Sequence, residues 1–369
     1  MALAGALLVC YVLLGYPLLL AVLARLFPQP VRRSPYTPPV SVILAVHNGE
    51  AFLRAKLDSL LTAGYPDDKL SVLVVSDGST DATDRIAASY AARGVTLIRV
   101  PRGGKAAAIN AGVARATGEV LVFTDVRQPI RPGSLGYLTE CLADPRVGVV
   151  SGELVLGSSE HEGRTNVGLY WRYELWIRKQ LSKLGSMESA TGALYAMRRS
   201  LAVALPPGTL LDDMYLPLAA VFRGYHIVLE ERALAYDAPA ALDAEFYRKV
   251  RTLAGNYQIL VAFPQLLWPG NRLWIHFLSH KMGRLILPFA LLAIACASPW
   301  LPAPWRGILL AGQGAFYGLA VLDPLIPSGY AAKKVSSLCR TFSVLMLAAL
   351  CALSYFFVPP QRLWRAKTL

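Results

Sequence analysis

Pro38-Pro-Val-Ser-Val-Ile-Leu-Ala-Val-His-Asn-Gly-Glu50 is the stretch that decides the fold. Its apolar run, Val40 to Val46, is bounded by a proline pair and an Asn-Gly turn. A run this short and this continuous reads as a strand buried on both faces. Leu70 to Ser76, Val95 to Val100 and Val120 to Thr124 repeat the pattern, with helix-length segments beginning near Glu50, Thr80 and Lys105. Short buried strands alternating with helices predict an α/β fold around a mostly parallel sheet. Ligands of such sheets bind beyond the carboxyl ends of the strands, where Glu50, Asp77 and Asp125 fall. Asp77-Gly78-Ser79-Thr80 alone would serve equally as a turn and helix cap; three such positions in register point to a site. Neither a G-x-G-x-x-G fingerprint nor a P-loop is present, which argues against a dehydrogenase or an ATPase.

Outward from this segment the composition changes. Of 369 residues 54% are hydrophobic, and the mean hydropathy is +0.42, so part of the chain is expected in lipid. Ala2 to Ala24, Leu285 to Trp305, Gly307 to Leu322 and Thr341 to Gln361 are uncharged apolar runs, the third rather short. The first lacks a basic n-region and exceeds a typical signal-peptide core, so it is expected to be an anchor. Arg25, Arg32, Arg33, Lys281, Arg284, Lys333, Lys334 and Arg340 all flank one side of a four-span arrangement, which places that side and the middle domain in the cytoplasm. Arg306, Arg362, Arg365 and Lys367 fall opposite and weaken the count.

These flanking cations account for much of the net charge of +13. No basic run carries base-stacking residues, so nucleic acid is not an expected partner. Five cysteines form neither a metal-ligand spacing nor a disulfide framework. Gly168 to Leu184 places Tyr173, Trp176, Ile177, Leu181 and Leu184 at helical spacing, as an interfacial helix or as one packed on the domain core. The expected organisation is an N-terminal transmembrane helix (1–27), a cytosolic catalytic domain (38–255), interfacial helices (256–284) and a C-terminal transmembrane region of about three helices (285–361).

Ser41 to Glu50, Val75 to Asp81, Gly104-Lys105 with Asn110, Thr124-Asp125, Asp212-Asp213 and Arg248-x-x-Arg251 form an ordered set over roughly Val40 to Leu260. The set resembles the family 2 glycosyltransferases, in particular the membrane-integrated branch of cellulose, hyaluronan and poly-N-acetylglucosamine synthases and ceramide glucosyltransferase. The resemblance implies a GT-A type nucleotide-binding α/β sandwich and single displacement with inversion at the anomeric carbon. It implies that Glu50 and Asp77 hold a uridine, that Lys105 lies on the nucleotide, and that Asp213 is the catalytic base. Chemistry agrees on the base, because such a displacement needs a proton acceptor, and a carboxylate desolvated among other carboxylates has a raised pKa. Asp212 stands beside it and would also cap the helix that follows. Gly192, in Ala190-Thr-Gly-Ala-Leu-Tyr-Ala-Met-Arg-Arg199, resembles the acceptor-side loop, where the missing side chain admits close approach of a sugar.

Two departures stand out. Relatives bind Mg²⁺ or Mn²⁺ with a D-x-D motif, whereas here Asp125-Val126-Arg127 leaves Asp125 as the one candidate metal ligand. Metal dependence is expected to be weakened, with Arg127 lending its charge to the diphosphate. Second, Arg248 replaces the Gln and Thr252 the Trp of a Q-x-x-R-W motif, so Arg248 and Arg251 present two cations on one helix face toward phosphate or acceptor. The expected acceptor is a growing polysaccharide, with a single-transfer lipid acceptor as the alternative; four spans are few to enclose a polymer channel. A non-catalytic scaffold is a weaker reading. His47 and His226 are expected to be structural, and an oligomer is compatible with the sequence.

Overall fold

The structure, a computed structural model of the chain, describes residues 1–157, 166–185, 187–238, 242–327 and 329–365. It divides into two compact units, one of Phe27–Glu162 with Arg178–Pro239, the other of Met1–Leu26, Gly163–Ile177 and Ala240–Leu369.

The first unit is built on seven strands: β1 (Val40–Val46), β2 (Leu70–Asp77), β3 (Val95–Val100), β4 (Val120–Phe123), β5 (Val147–Leu156), β6 (Tyr195–Arg198) and β7 (His226–Asp237). They lie in the order β3-β2-β1-β4-β6-β5-β7. β1 is parallel to β2 and β4, and β2 to β3. β6 runs antiparallel to both its neighbours, and β5 and β7 are parallel. The α/β architecture with a mostly parallel sheet is therefore as expected. β1 is central because nearly all of it is apolar and buried, and each Val, Leu or Ile so buried contributes roughly 1.5–3 kcal/mol. Its one hydroxyl, Ser41 Oγ, accepts the Gly118 N–H at 2.9 Å and meets Ser71 Oγ at 2.9 Å. A Cβ on Gly118 would stand 2.5 Å from the Ser41 nitrogen, so only glycine lets that loop pass the strand.

Helices Glu50–Leu61 and Lys105–Arg115 begin where expected, while the one expected near Thr80 begins at Thr83. His47 has a structural contact, its Nδ1 lying 2.9 Å from the Asp77 carbonyl oxygen. The helix Asn166–Lys183 includes Ile177 and Leu181, both buried. Arg178 of the same helix donates to Ser151 Oγ at 2.8 Å, and Lys179 pairs with Glu231 at 2.8 Å. Arg33, counted above as a membrane-flanking cation, instead pairs with the buried Glu230 at 2.9 Å.

The second unit is helical. Ala2–Leu26, Trp274–Trp300, Trp305–Leu325 and Ala331–Phe356 are each long and apolar enough to cross a membrane. The second of these begins well before the expected Leu285, and the helix Leu242–Ala262 runs through the start of the segment assigned to the interface. Arg284 and His280 lie within Trp274–Trp300, and both face the Glu174 carboxylate. Tyr11 and Tyr16 of the first apolar helix bond Ser279 (2.7 Å) and His276 (3.2 Å) in the same way. Asp323 is buried and takes Lys333 (3.1 Å) and Arg340 (3.3 Å), with hydrogen bonds from Ser336 and Ser337.

Candidate active site

The carboxyl ends of β1, β2 and β4 carry the expected acidic residues. Glu50 opens its helix; its Oε2 accepts the Ala82 N–H (2.8 Å) while its own N–H donates to Asp81 (3.0 Å). The β1 and β2 loops are thereby tied to each other. Asp77, 2% exposed, accepts N–H groups from Gly103 (2.7 Å) and Gly104 (3.0 and 3.1 Å) and also binds the Arg102 guanidinium. Both its oxygens are thus engaged in holding the Arg102–Gly104 loop. Gly78 has φ of +62° and Gly104 of +87°, conformations that other residues adopt only with strain.

Lys105, the first residue of its helix, places Nζ 2.9 Å from Asp125 Oδ1 and 3.1 Å from Asp212 Oδ1. Burial would lower its pKa, but Asp125, Asp212 and Asp213 together raise it above the ordinary value, so it stays charged. Asp212 and Asp213 open the helix Asp212–Val221, where the positive end of the dipole favours carboxylates. Asp213 Oδ2 accepts the Gly192 N–H at 3.0 Å, and the Asp213 carbonyl accepts the Ala190 N–H at 2.8 Å. A Cβ on Gly192 would lie 3.4 Å from Asp213 Oδ2 and 3.6 Å from Asp125 Oδ2. Burial, then the charge of Asp212, push the Asp213 carboxyl up to about 6; Lys105 opposes the shift and Asp125 adds to it.

The result is a recess with an apolar floor of Ile43, Ala45, Ile109 and Phe123 and polar walls of Lys105, Asp125, Gly192 and Asp212. Tyr195, which the sequence reading passed over, stacks on Phe123 with ring centroids 4.8 Å apart. Its buried hydroxyl has no partner among the described residues. Burial and the charges of Asp212, Asp213 and Asp125 hold its pKa well above the ordinary value, so it remains a neutral donor.

Arg127 is placed differently from a free diphosphate cation. Its guanidinium pairs with Asp237 at the end of β7 at 2.6 Å, and Gln128 donates to the same Asp237 oxygen at 2.8 Å. Any charge Arg127 lends to a ligand must be shared with Asp237. Asp125 is held by Lys105, and among the described residues no group of three or more His, Cys, Asp and Glu converges as a metal site. The side chains alone do not make a divalent-cation site of the usual oxygen-rich kind. Arg248 and Arg251 stand on the helix Leu242–Ala262 of the helical unit, where Thr252 Oγ1 bonds the Arg248 carbonyl at 2.9 Å.

A mostly parallel sheet with acidic residues at its strand ends, one lysine among three carboxylates and a glycine loop against Asp213 is the arrangement of a GT-A type fold. Residues 41–204 match the family described as Glycosyl transferase family 2. Across the whole chain it is similar to the mannosyltransferase PcManGT of Pyrobaculum calidifontis, solved with GDP-Man and Mn²⁺: TM-score 0.72, 23% identity, 96% of this chain and 98% of that one. In sequence it is 24% identical over 242 residues to the probable glycosyltransferase YdaM of Bacillus subtilis, covering 61% of this chain and 57% of that protein. It is also 24% identical over 303 residues to the β-monoglucosyldiacylglycerol synthase of Nostoc sp., covering 76% of this chain and 64% of that protein.

Proposed function

We propose that this protein transfers a sugar from a nucleotide-sugar to a membrane-associated acceptor, with inversion at the anomeric carbon. The single observation that carries the proposal is the Asp213 carboxyl, raised to about 6 and set beside Lys105, Asp125 and Gly192. Asp213 takes the proton of the acceptor hydroxyl as that oxygen bonds the anomeric carbon. The bond from that carbon to the diphosphate breaks, and the negative charge moves onto the leaving nucleotide. Lys105, its side chain largely covered, is placed to meet that charge. Glu50 and Asp77 are assigned to the nucleotide, Asp77 acting through the Arg102–Gly104 loop that its two oxygens hold. Arg248 and Arg251 are assigned to the diphosphate or the acceptor.

The acceptor we favour is a lipid rather than a growing polysaccharide. The name of the Nostoc relative describes a glycolipid synthase, and the four apolar helices found among the described residues are few to surround a polymer. The sheet unit is assigned to the cytoplasm from the basic flanks Arg25, Lys281 and Lys334. Incubating the protein in its membranes with labelled UDP- and GDP-sugars and sizing the product tests the acceptor: one lipid band is expected, and a ladder of lengths would support a polymerase instead.

With Arg127 in the second D-x-D position, metal dependence is expected to be partial. Turnover measured in excess chelator should retain a substantial fraction of the Mn²⁺ rate. Complete loss, restored by Mn²⁺, would refute this.

A further inference from the structure

Lys56 lies outside every motif considered so far. It sits on the helix Glu50–Leu61 in line with Leu53, Leu57 and Leu60, all buried, and is itself 0% exposed. A lysine so buried is expensive to keep; burial lowers its pKa to about 7, with the charge of Asp125 acting against the shift. Its amine donates to Thr124 Oγ1 at 2.6 Å and to the Gln128 carbonyl at 2.5 Å. These two groups bracket the segment that carries Asp125. Thr124 Oγ1 in turn donates to the Ala193 carbonyl at 2.5 Å, and the preceding residue of that loop, Gly192, gives its N–H to Asp213. One hidden amine therefore joins the Asp125 segment to the loop that holds Asp213.

We propose that Lys56 is a positioning residue for transfer, fixing Asp125 and the Gly192 loop in register through Thr124. The inference rests on the sugar-transfer reading of the site. Its chemistry is complete without a ligand: the amine supplies the donors, and Thr124 relays the bond by accepting from Lys56 while donating to Ala193. Gln128 and Arg127 grip Asp237 on the far side, so removing the amine frees one end of the segment and leaves the rest of the fold in place. Misplacing reacting groups by about 1 Å costs roughly 10²-fold in rate.

Lys56→Met keeps the apolar stem and deletes the donors; Thr124→Val deletes the relay. Full-length variants in membranes are compared for kcat, donor KM and thermal midpoint. Expected are a kcat at least about tenfold lower in each, donor KM within about twofold, an unlowered midpoint for Lys56→Met, and a double variant no slower than the worse single one. Rates equal to wild type in both single variants would overturn the inference, as would a fall of kcat, KM and midpoint together in Lys56→Met with Thr124→Val unaffected. Multiplying effects in the double variant would also overturn it. Failure of the underlying reading is distinct: the wild-type protein itself would turn over no donor.

Discussion

Replacing Asp213 by Asn is expected to slow sugar transfer about 10³-fold, within the range a general base supplies, while donor binding survives. Asparagine keeps an oxygen that can accept the Gly192 N–H, so the loop should stay in place and the loss should fall on kcat. The wild-type rate should also carry the signature of this group. Because the carboxyl is held up to about 6 and only its deprotonated form accepts a proton, kcat should fall about tenfold per pH unit below that value and level off above it. Asp213→Asn should lack this limb. A pH–rate profile of both forms at saturating donor checks the assignment, and an unchanged acid limb in the variant would remove Asp213 from the role.

Lys105→Met is expected to lower kcat about 10²-fold, the scale of removing one preorganised charge partner from a developing anion. A second consequence separates this lysine from a mere nucleotide contact. Lys105 lowers the Asp213 pKa against the push of burial and Asp212, so its loss should move the remaining acid limb to higher pH. A variant that is slower with the limb in its old place would confine Lys105 to the leaving group. Unchanged kcat with raised donor KM would confine it to binding.

Much of this arrangement was visible in the sequence because it is local. β1 and β2 are largely apolar runs closed by turns, while β3, expected to be buried like them, lies at the sheet edge and leaves Thr96 and Arg99 exposed; Asp77, Lys105 and Asp125 each follow or open an element. The second half of the sheet was not read. β6 is as short as β4, but its Tyr195-Ala-Met-Arg198 lacks the unbroken apolar character of Val120–Phe123. β7 carries Glu230, Glu231 and Arg232 in its middle and a register shift against β5, so its apolar pattern is broken where Glu230 turns inward to Arg33 and Arg232.

Pairings across long sequence separations were invisible for the same reason. Arg127 could be seen to replace a carboxylate, but nothing near it announces Asp237, 110 residues away. Lys56 did leave a signal, since it occupies the Leu53, Leu57, Leu60 stripe, where a lysine is out of place. On the helical unit, nothing near His280 and Arg284 in the sequence announces their partner Glu174, more than a hundred residues away.

The central claim is that this constellation transfers sugar from a nucleotide. Release of nucleoside diphosphate by the purified full-length protein in lipid, measured against a panel of UDP- and GDP-sugars, tests it most directly. At least one donor should be turned over by the wild type, and Asp213→Asn should bind that donor while releasing its nucleotide at about one-thousandth of the rate. Absence of release with every donor, or equal release by the variant, would contradict the claim.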